Sequence, residues 1–302
     1  MFDKLEILLA LARERHFGRA AESCGVSQPT LSAGLKQLEE SLGVLLVSRG
    51  SRFQGFTPEG ERVLEWARRI VGDARAMREE VQTLQHGLSG RLRIAAIPTA
   101  LAAVASLTTP FRAKYPKVEF TVWSRTSEEI LTLLENLEID AGLTYLDHDP
   151  LGRVITTPLY KEKYCLLTAT TAPLGNRSTV TWAEVSQVPL CLLTPDMQNR
   201  RIIDGLLRNA GSQTRPTLES DSILLLFSHA RTGRWASVMP IKIAETLGIT
   251  DPLRAIPIVG PEEMHTVGLV MAPREPMTPL NAALAEEARR IAAEFSAAIS
   301  QS

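Results

Sequence analysis

The sequence predicts an α/β protein that carries a small helical unit at its N-terminus, and three observations lead there. Before residue 58, apolar residues recur at helical spacing and are interrupted by glycine. From residue 67 to 88 a regular repeat of three and four residues runs unbroken, and beyond residue 90 strand-like and helix-like stretches alternate. With 302 residues and 44% hydrophobic content the chain is long enough for two or three compact units.

The N-terminal unit opens on a helix with apolar Phe2, Leu5, Leu8, Leu9 and Ala12. Gly18-Arg19-Ala20-Ala21-Glu22-Ser23-Cys24 is rich in small side chains and predicts a short helix packed closely on a neighbour, ended by Gly25 in the left-handed conformation. Ser27 then caps a second helix, and Pro29 suits its first turn. Leu31, Leu35, Leu38 and Leu42 give that helix one buried stripe. Ser27, Gln28, Pro29, Thr30, Ser32, Ala33 and Lys36 are left on its free surface. This is the layout of a helix-turn-helix, whose second helix meets base edges in the DNA major groove. The segment Val47-Ser48-Arg49-Gly50-Ser51-Arg52-Phe53 reads as a basic hairpin, with Arg49 and Arg52 placed for phosphates or the minor groove. Charge gives no global support. The net charge is −1, and residues 1 to 58 hold seven basic against six acidic side chains, so a basic footprint must come from folding.

Ala20-Ala21, Ser27-Gln28-Pro29-Thr30-Leu31-Ser32, Leu38-Glu39, Leu42-Gly43, Arg49 and Thr57-Pro58-Glu59-Gly60 together resemble the winged helix-turn-helix of LysR-type transcriptional regulators. Ala33 and Gly34 depart from the Arg and Gln often found in the family, and Leu46 from the usual Phe. Gln28, Thr30 and the two arginines are therefore expected to carry more of the base readout. The resemblance implies promoter DNA as partner, a homodimer paired into a homotetramer, RNA polymerase as a contact if the protein activates, and a small-molecule effector. Within the family the N-terminal stretch resembles regulators associated with formate dehydrogenase operons, which implies formate or another short carboxylate.

Thr57-Pro58-Glu59 opens the next helix with a cap, a first-turn proline and an acid at the positive end. Ala67, Ile70, Ala74, Met77, Val81, Leu84 and Leu88 form a heptad seam flanked by charges, which predicts dimerisation through a coiled coil. Gly87-Leu88-Ser89-Gly90 reads as a hinge. The expected domains are residues 1–58 (winged helix-turn-helix), 59–88 (linker helix) and 89–302 (effector domain).

Strands are predicted at Arg91–Ile97, Val118–Trp123, Ala141–Tyr145, Tyr164–Leu167, Pro189–Leu193, Thr217–Ser220, Trp235–Pro240 and His265–Met271, with helices between them in a mostly parallel sheet. The pattern restarts near Tyr160. This division resembles the family's two-part, periplasmic-binding-protein-like effector domain, with one half at residues 91–160 and 266–302 and the other at 161–265. In open α/β sheets ligands lie beyond the carboxyl ends of strands. Thr99, Ala100, Thr126, Ser127, Thr144, Thr194, Asp196, Asp221 and Ser222 occupy that level and are the candidate effector residues, although each taken singly also fits a helix cap.

No catalytic constellation, phosphate loop, metal pair or cofactor motif emerges, and the five histidines are scattered over surface or helix positions. No metal, cofactor or membrane partner is expected. Charged residues interrupt the apolar N-terminus, so a cytoplasmic location is expected rather than export. Cys24, Cys165 and Cys191 show no disulfide or zinc spacing and read as reduced core residues. Two alternatives stay open: a soluble binding protein or enzyme with an accessory helical domain, and a regulator that senses redox state through a thiol such as Cys165 or Cys191.

Overall fold

A computed structural model describes residues 1–48, 53–147, 150–212, 215–260 and 264–299. The chain divides into two compact units, one over Met1–Gly87 and one built mainly from the chain after Leu88.

The first unit holds α1 (Phe2–Glu14), α2 (Phe17–Ser23), α3 (Gln28–Leu42) and α4 (Pro58–His86). Leu5, Leu8 and Leu11 of α1, Ala20 and Ala21 of α2, and Leu31, Leu35 and Leu38 of α3 make one core. Small residues on α2 let the helices approach, as their spacing predicts. Gly34 does the same on α3, where a Cβ would lie 2.8 Å from the Ile7 Cδ1 atom. Leu42 departs from the predicted stripe and is 42% exposed. It sits in the last turn of α3 past the core, and the fully buried Leu46 fills the position below.

The linker helix is not a separate module at its start. Leu64, Ala67 and Val71 of α4 are buried in the same core as α1 to α3. Ala67 therefore belongs to the interior of the unit and not to the predicted seam. Ala74 is half-buried, and Leu88 lies beyond the helix end at His86. The exposed stripe is Trp66, Ile70, Met77, Val81 and Leu84, in which Trp66 was not foreseen.

The second unit contains β1 (Gly90–Ala96), a 3-10 turn at Pro98–Ala100, α5 (Leu101–Lys114), β2 (Val118–Ser124), α6 (Ser127–Glu135), β3 (Ala141–Tyr145) and β4 (Ile155–Glu162). Then come β5 (Tyr164–Ala169), β6 (Val180–Thr181), α7 (Trp182–Val185), β7 (Cys191–Leu193), α8 (Gln198–Asn209), β8 (Leu218–Ser220) and α9 (Ile223–Ala230). The last elements are β9 (Ser237–Pro240), α10 (Ile241–Leu247), β10 (Leu253–Val259), β11 (His265–Met271) and α11 (Pro279–Ile299). One sheet has the order β2-β1-β3-β11-β4, a second β6-β10-β5-β9, and β7 pairs with β8.

These sheets are mixed, not mostly parallel. β1 pairs in parallel with β2 and β3, but β11 runs antiparallel to both β3 and β4, and β5 is antiparallel to β9 and β10. The difference arises because the chain passes straight from β4 to β5 and later returns through β11, two crossovers that insert antiparallel neighbours. None of the described helices is long and apolar enough to cross a membrane.

Candidate functional site

Two sites emerge, one in each unit. In the first, Gly25 adopts φ +67°, Val26 tucks against the core, and the Ser27 hydroxyl accepts from the Thr30 N–H at 3.3 Å. The Ser27 and Thr30 hydroxyls also lie 2.8 Å apart. The cap fixes the start of α3 while leaving Ser27, Gln28, Pro29, Thr30, Ser32, Ala33 and Lys36 exposed. Lys36 makes a loose pair with Glu40 at 3.7 Å, both largely in water, which leaves the ammonium available to a phosphate. Arg49 and Arg52 lie outside the described residues. The described chain on either side of them is held together, with Val47 bridged to Phe56 and Phe53 packed edge-on against Phe17 and Phe56. Glu39 accepts from the Leu46 and Val47 N–H groups at 2.7 and 3.3 Å, clamping the loop onto α3.

In the second unit the predicted effector residues separate by role. Thr126 and Glu129 form a reciprocal cap, the Thr126 N–H donating to Glu129 Oε2 at 2.8 Å and the Glu129 N–H to Thr126 Oγ1 at 3.2 Å. Ser222 caps α9 in the ordinary way. Asp196 and Asp221 are exposed. Ala100 is fully buried. The hydroxyls of Ser127, Thr144 and Thr194 are buried without a hydrogen-bond partner among the described residues. Thr99 is buried and comes within 3.5 Å of the Tyr145 hydroxyl.

Tyr145 leads to a group the sequence reading missed. Its hydroxyl donates to Glu162 Oε2 at 2.6 Å and accepts from Asn199 Nδ2 at 3.0 Å, and both partners are buried. The Tyr164 hydroxyl lies close enough to act on the same carboxyl. His265 stacks edge-on to Tyr145 at 6.4 Å and tilted to Tyr164 at 6.2 Å. It opens the predicted strand His265–Met271 but is buried there, not at the surface. Desolvation pushes the Glu162 carboxyl up to about 7, against which the Tyr145 and Tyr164 hydroxyls and Lys242 pull down. Lys242, drawn down to about 8 by its own burial, lies over the Tyr160 and Phe295 rings. One signal was available: three of the chain's four tyrosines, Tyr145, Tyr160 and Tyr164, fall at β3's end and around the crossover.

None of the three thiols is poised as a thiolate in this arrangement. Cys165 is buried on β5 and pushed up to about 12, and Cys191 on β7 to about 11, both chiefly by desolvation. Cys24 is half-buried and also raised, again first by desolvation. Among the described residues no group of His, Cys, Asp and Glu could hold a metal ion.

A helix-turn-helix with a free recognition face, joined to a two-lobed α/β unit with a polar cluster where the lobes meet, is the build of a ligand-responsive DNA-binding regulator. Residues 2–61 match the bacterial regulatory helix-turn-helix protein family of lysR type, and residues 85–293 match the LysR substrate binding domain. The chain belongs to the LysR family of transcriptional regulators, and it is a transcription factor rather than an enzyme. It is 30% identical over 286 residues to the DNA-binding transcriptional dual regulator OxyR of Escherichia coli K12, covering 94% of this chain and 93% of OxyR. A full-length cysteine-to-aspartate variant of OxyR from Pseudomonas aeruginosa superposes with TM-score 0.75 at 27% identity, covering 96% of this chain and 94% of the other. Full-length CbnR complexed with its target DNA shares the fold at 22% identity and TM-score 0.62, covering 96% and 99%.

Proposed function

We propose that this regulator reads paired promoter half-sites with the start of α3, dimerises along the exposed stripe of α4 and assembles further into a tetramer, and responds to a short carboxylate held where the two halves of the second unit meet. Contact with RNA polymerase follows if it activates. The observation that carries the DNA reading is the exposure of Ser27 through Lys36 on a helix start whose opposite face is buried. Gln28 opens that helix and can make a bidentate contact to adenine, worth about 1–3 kcal/mol of discrimination. Gln28→Ala is therefore expected to weaken operator binding by roughly tenfold or more while leaving random-sequence binding nearly unchanged, as read by competition gel shifts at fixed salt. Equal losses on both DNAs would remove Gln28 from the readout.

For the effector, buried hydroxyls without partners at Ser127, Thr144 and Thr194, with Thr99 beside Tyr145, support a small guest rich in hydrogen-bond acceptors. Backbone N–H groups at the helix starts favour an anion, and formate is the smallest candidate. Thr99→Val removes a hydroxyl at nearly constant volume. It should abolish the response to the carboxylate and leave basal DNA binding intact; calorimetry showing undiminished binding would move the site elsewhere.

Relatives named as hydrogen peroxide-inducible genes activators favour a second reading, thiol redox sensing. A sensor cysteine works as an accessible thiolate. Burial and upward shifts at Cys165 and Cys191 favour the effector reading over the thiol one.

A further inference from the structure

Glu162 ends β4 just before the chain enters the second half at Tyr164, and it stands opposite His265, where the chain returns. It thus belongs to both crossovers. An acid 2% exposed ordinarily has a cation beside it. Among the described residues none lies within ion-pairing distance, and Glu162 Oε1 has no hydrogen-bond partner at all. The other oxygen is held by Tyr145, itself oriented by Asn199 and adjoining Thr99. One carboxyl oxygen is therefore fixed through Tyr145, whose hydroxyl also adjoins Thr99, and the other is buried without a hydrogen-bond partner.

We propose that Glu162 determines the specificity of the effector cleft, and that a short carboxylate binds there together with one proton shared between its own carboxylate and that of Glu162. The proposal rests on the carboxylate reading above and adds what pays the electrostatic cost. Two carboxylates in a dry site cannot both ionise, and a shared proton turns their repulsion into a strong hydrogen bond. Neutral amides would donate an N–H hydrogen bond to the same Oε1 without needing the proton.

The groups facing Glu162 leave it as the natural carrier. Tyr145 from β3, Tyr160 from β4 and Tyr164 from β5 all have hydroxyls shifted upward by burial and stay protonated. Lys242 from α10 lies over the Tyr160 and Phe295 rings and is drawn down to about 8 by burial, while Asn199 from α8 does not titrate. Lys242 and His265 from β11 are the competing proton sites, and the test separates them from Glu162.

The test is titration calorimetry of the full-length protein with formate and with acetate, in buffers of different ionisation enthalpy at about pH 6 and about pH 8. Wild type should take up almost no proton per guest at the lower pH, where Glu162 already carries one, and close to one at the higher pH. Affinity should fall about tenfold per pH unit above neutrality. Glu162→Gln should bind with an affinity independent of pH and take up no proton. Its folding is checked by thermal melts: wild type loses stability as pH rises from 4.5 to about 7, because the folded state holds the proton that the unfolded state releases, and the Gln variant should lack that loss. Binding without proton uptake in wild type overturns the proposal, as does uptake that persists in Glu162→Gln, which would assign the proton to Lys242 or His265. If neither carboxylate binds at either pH, the carboxylate reading itself falls.

Discussion

Replacing Val81 and Leu84 together by glutamate is expected to halve the mass of the particle in solution and to lower operator affinity by about a hundredfold or more. Both side chains lie on the outer stripe of α4, where Met77 is 61% exposed and Leu84 82% exposed, with Ile70 and Trp66 continuing the face. A contiguous apolar stripe on a 29-residue helix costs solvation until it is covered. A second copy of the helix would cover it by knobs-into-holes packing, leaving the exposed Arg69, Arg78 and Glu80 in water alongside. Glutamates at two adjacent seam positions bring like charges together across the pair, and the dimer should open. DNA affinity follows because two recognition helices must sit one helical turn apart, and losing one partner forfeits the effective concentration that tethering supplies. Trp66 offers an internal reporter, since its emission should shift to the red as the seam is exposed. Light scattering that gives an unchanged mass would place the dimer contact elsewhere.

How far the sequence could be read depended on the range of the forces involved. The helix-turn-helix was legible because its determinants are local: Gly25 permits the left-handed turn, Ser27 supplies the cap, and Leu31, Leu35 and Leu38 follow helical spacing. Leu42 and Ala67 were misplaced because periodicity gives a face but not where a partner helix ends or which partner it meets. β4 and β10 were missed because Pro158 and Pro257 interrupt them. Both are tolerated for lack of a second neighbour at that point: β4 is an edge strand, and β6 pairs only with Ile258 and Val259 of β10.

The cluster around Glu162 was invisible for a different reason. Tyr145, Glu162, Asn199 and His265 are brought together by the β4–β11 register and the crossover at Tyr164, and no local pattern encodes a meeting of residues that far apart. The hydroxyls at strand ends were legible by level, but whether each caps a helix or faces the cleft depends on side-chain direction. Thr126 caps, and Thr99 meets Tyr145.

Gly60→Ala is expected to destabilise the DNA-binding unit by about 3 kcal/mol, a lowering visible in thermal or urea unfolding. Gly60 lies in the first turn of α4, and a Cβ added there would fall 2.0 Å from the Leu46 carbonyl oxygen and 2.9 Å from its carbon. Backbone cannot swing aside as a side chain would. The surrounding contacts are also fixed from several directions. The Thr57 N–H donates to that same Leu46 oxygen at 3.0 Å, the Thr57 hydroxyl donates to the Leu45 carbonyl at 2.6 Å, and the Gly60 N–H donates to Thr57 Oγ1 at 2.9 Å. Glu39 holds Leu46 from the other side. Moving Leu46 enough to admit a methyl group must break part of this set and dislodge a fully buried leucine. Alanine is the better helix former by about 1 kcal/mol, so propensity alone argues for the opposite sign, and the clash must exceed it. Gly205 in α8 supplies the control: nothing lies within 4 Å of its added Cβ, so Gly205→Ala should be neutral or stabilising. A Gly60→Ala protein as stable as the parent would mean that the Leu45–Leu46 backbone between α3 and α4 yields freely, and that these hydrogen bonds do not hold it rigidly.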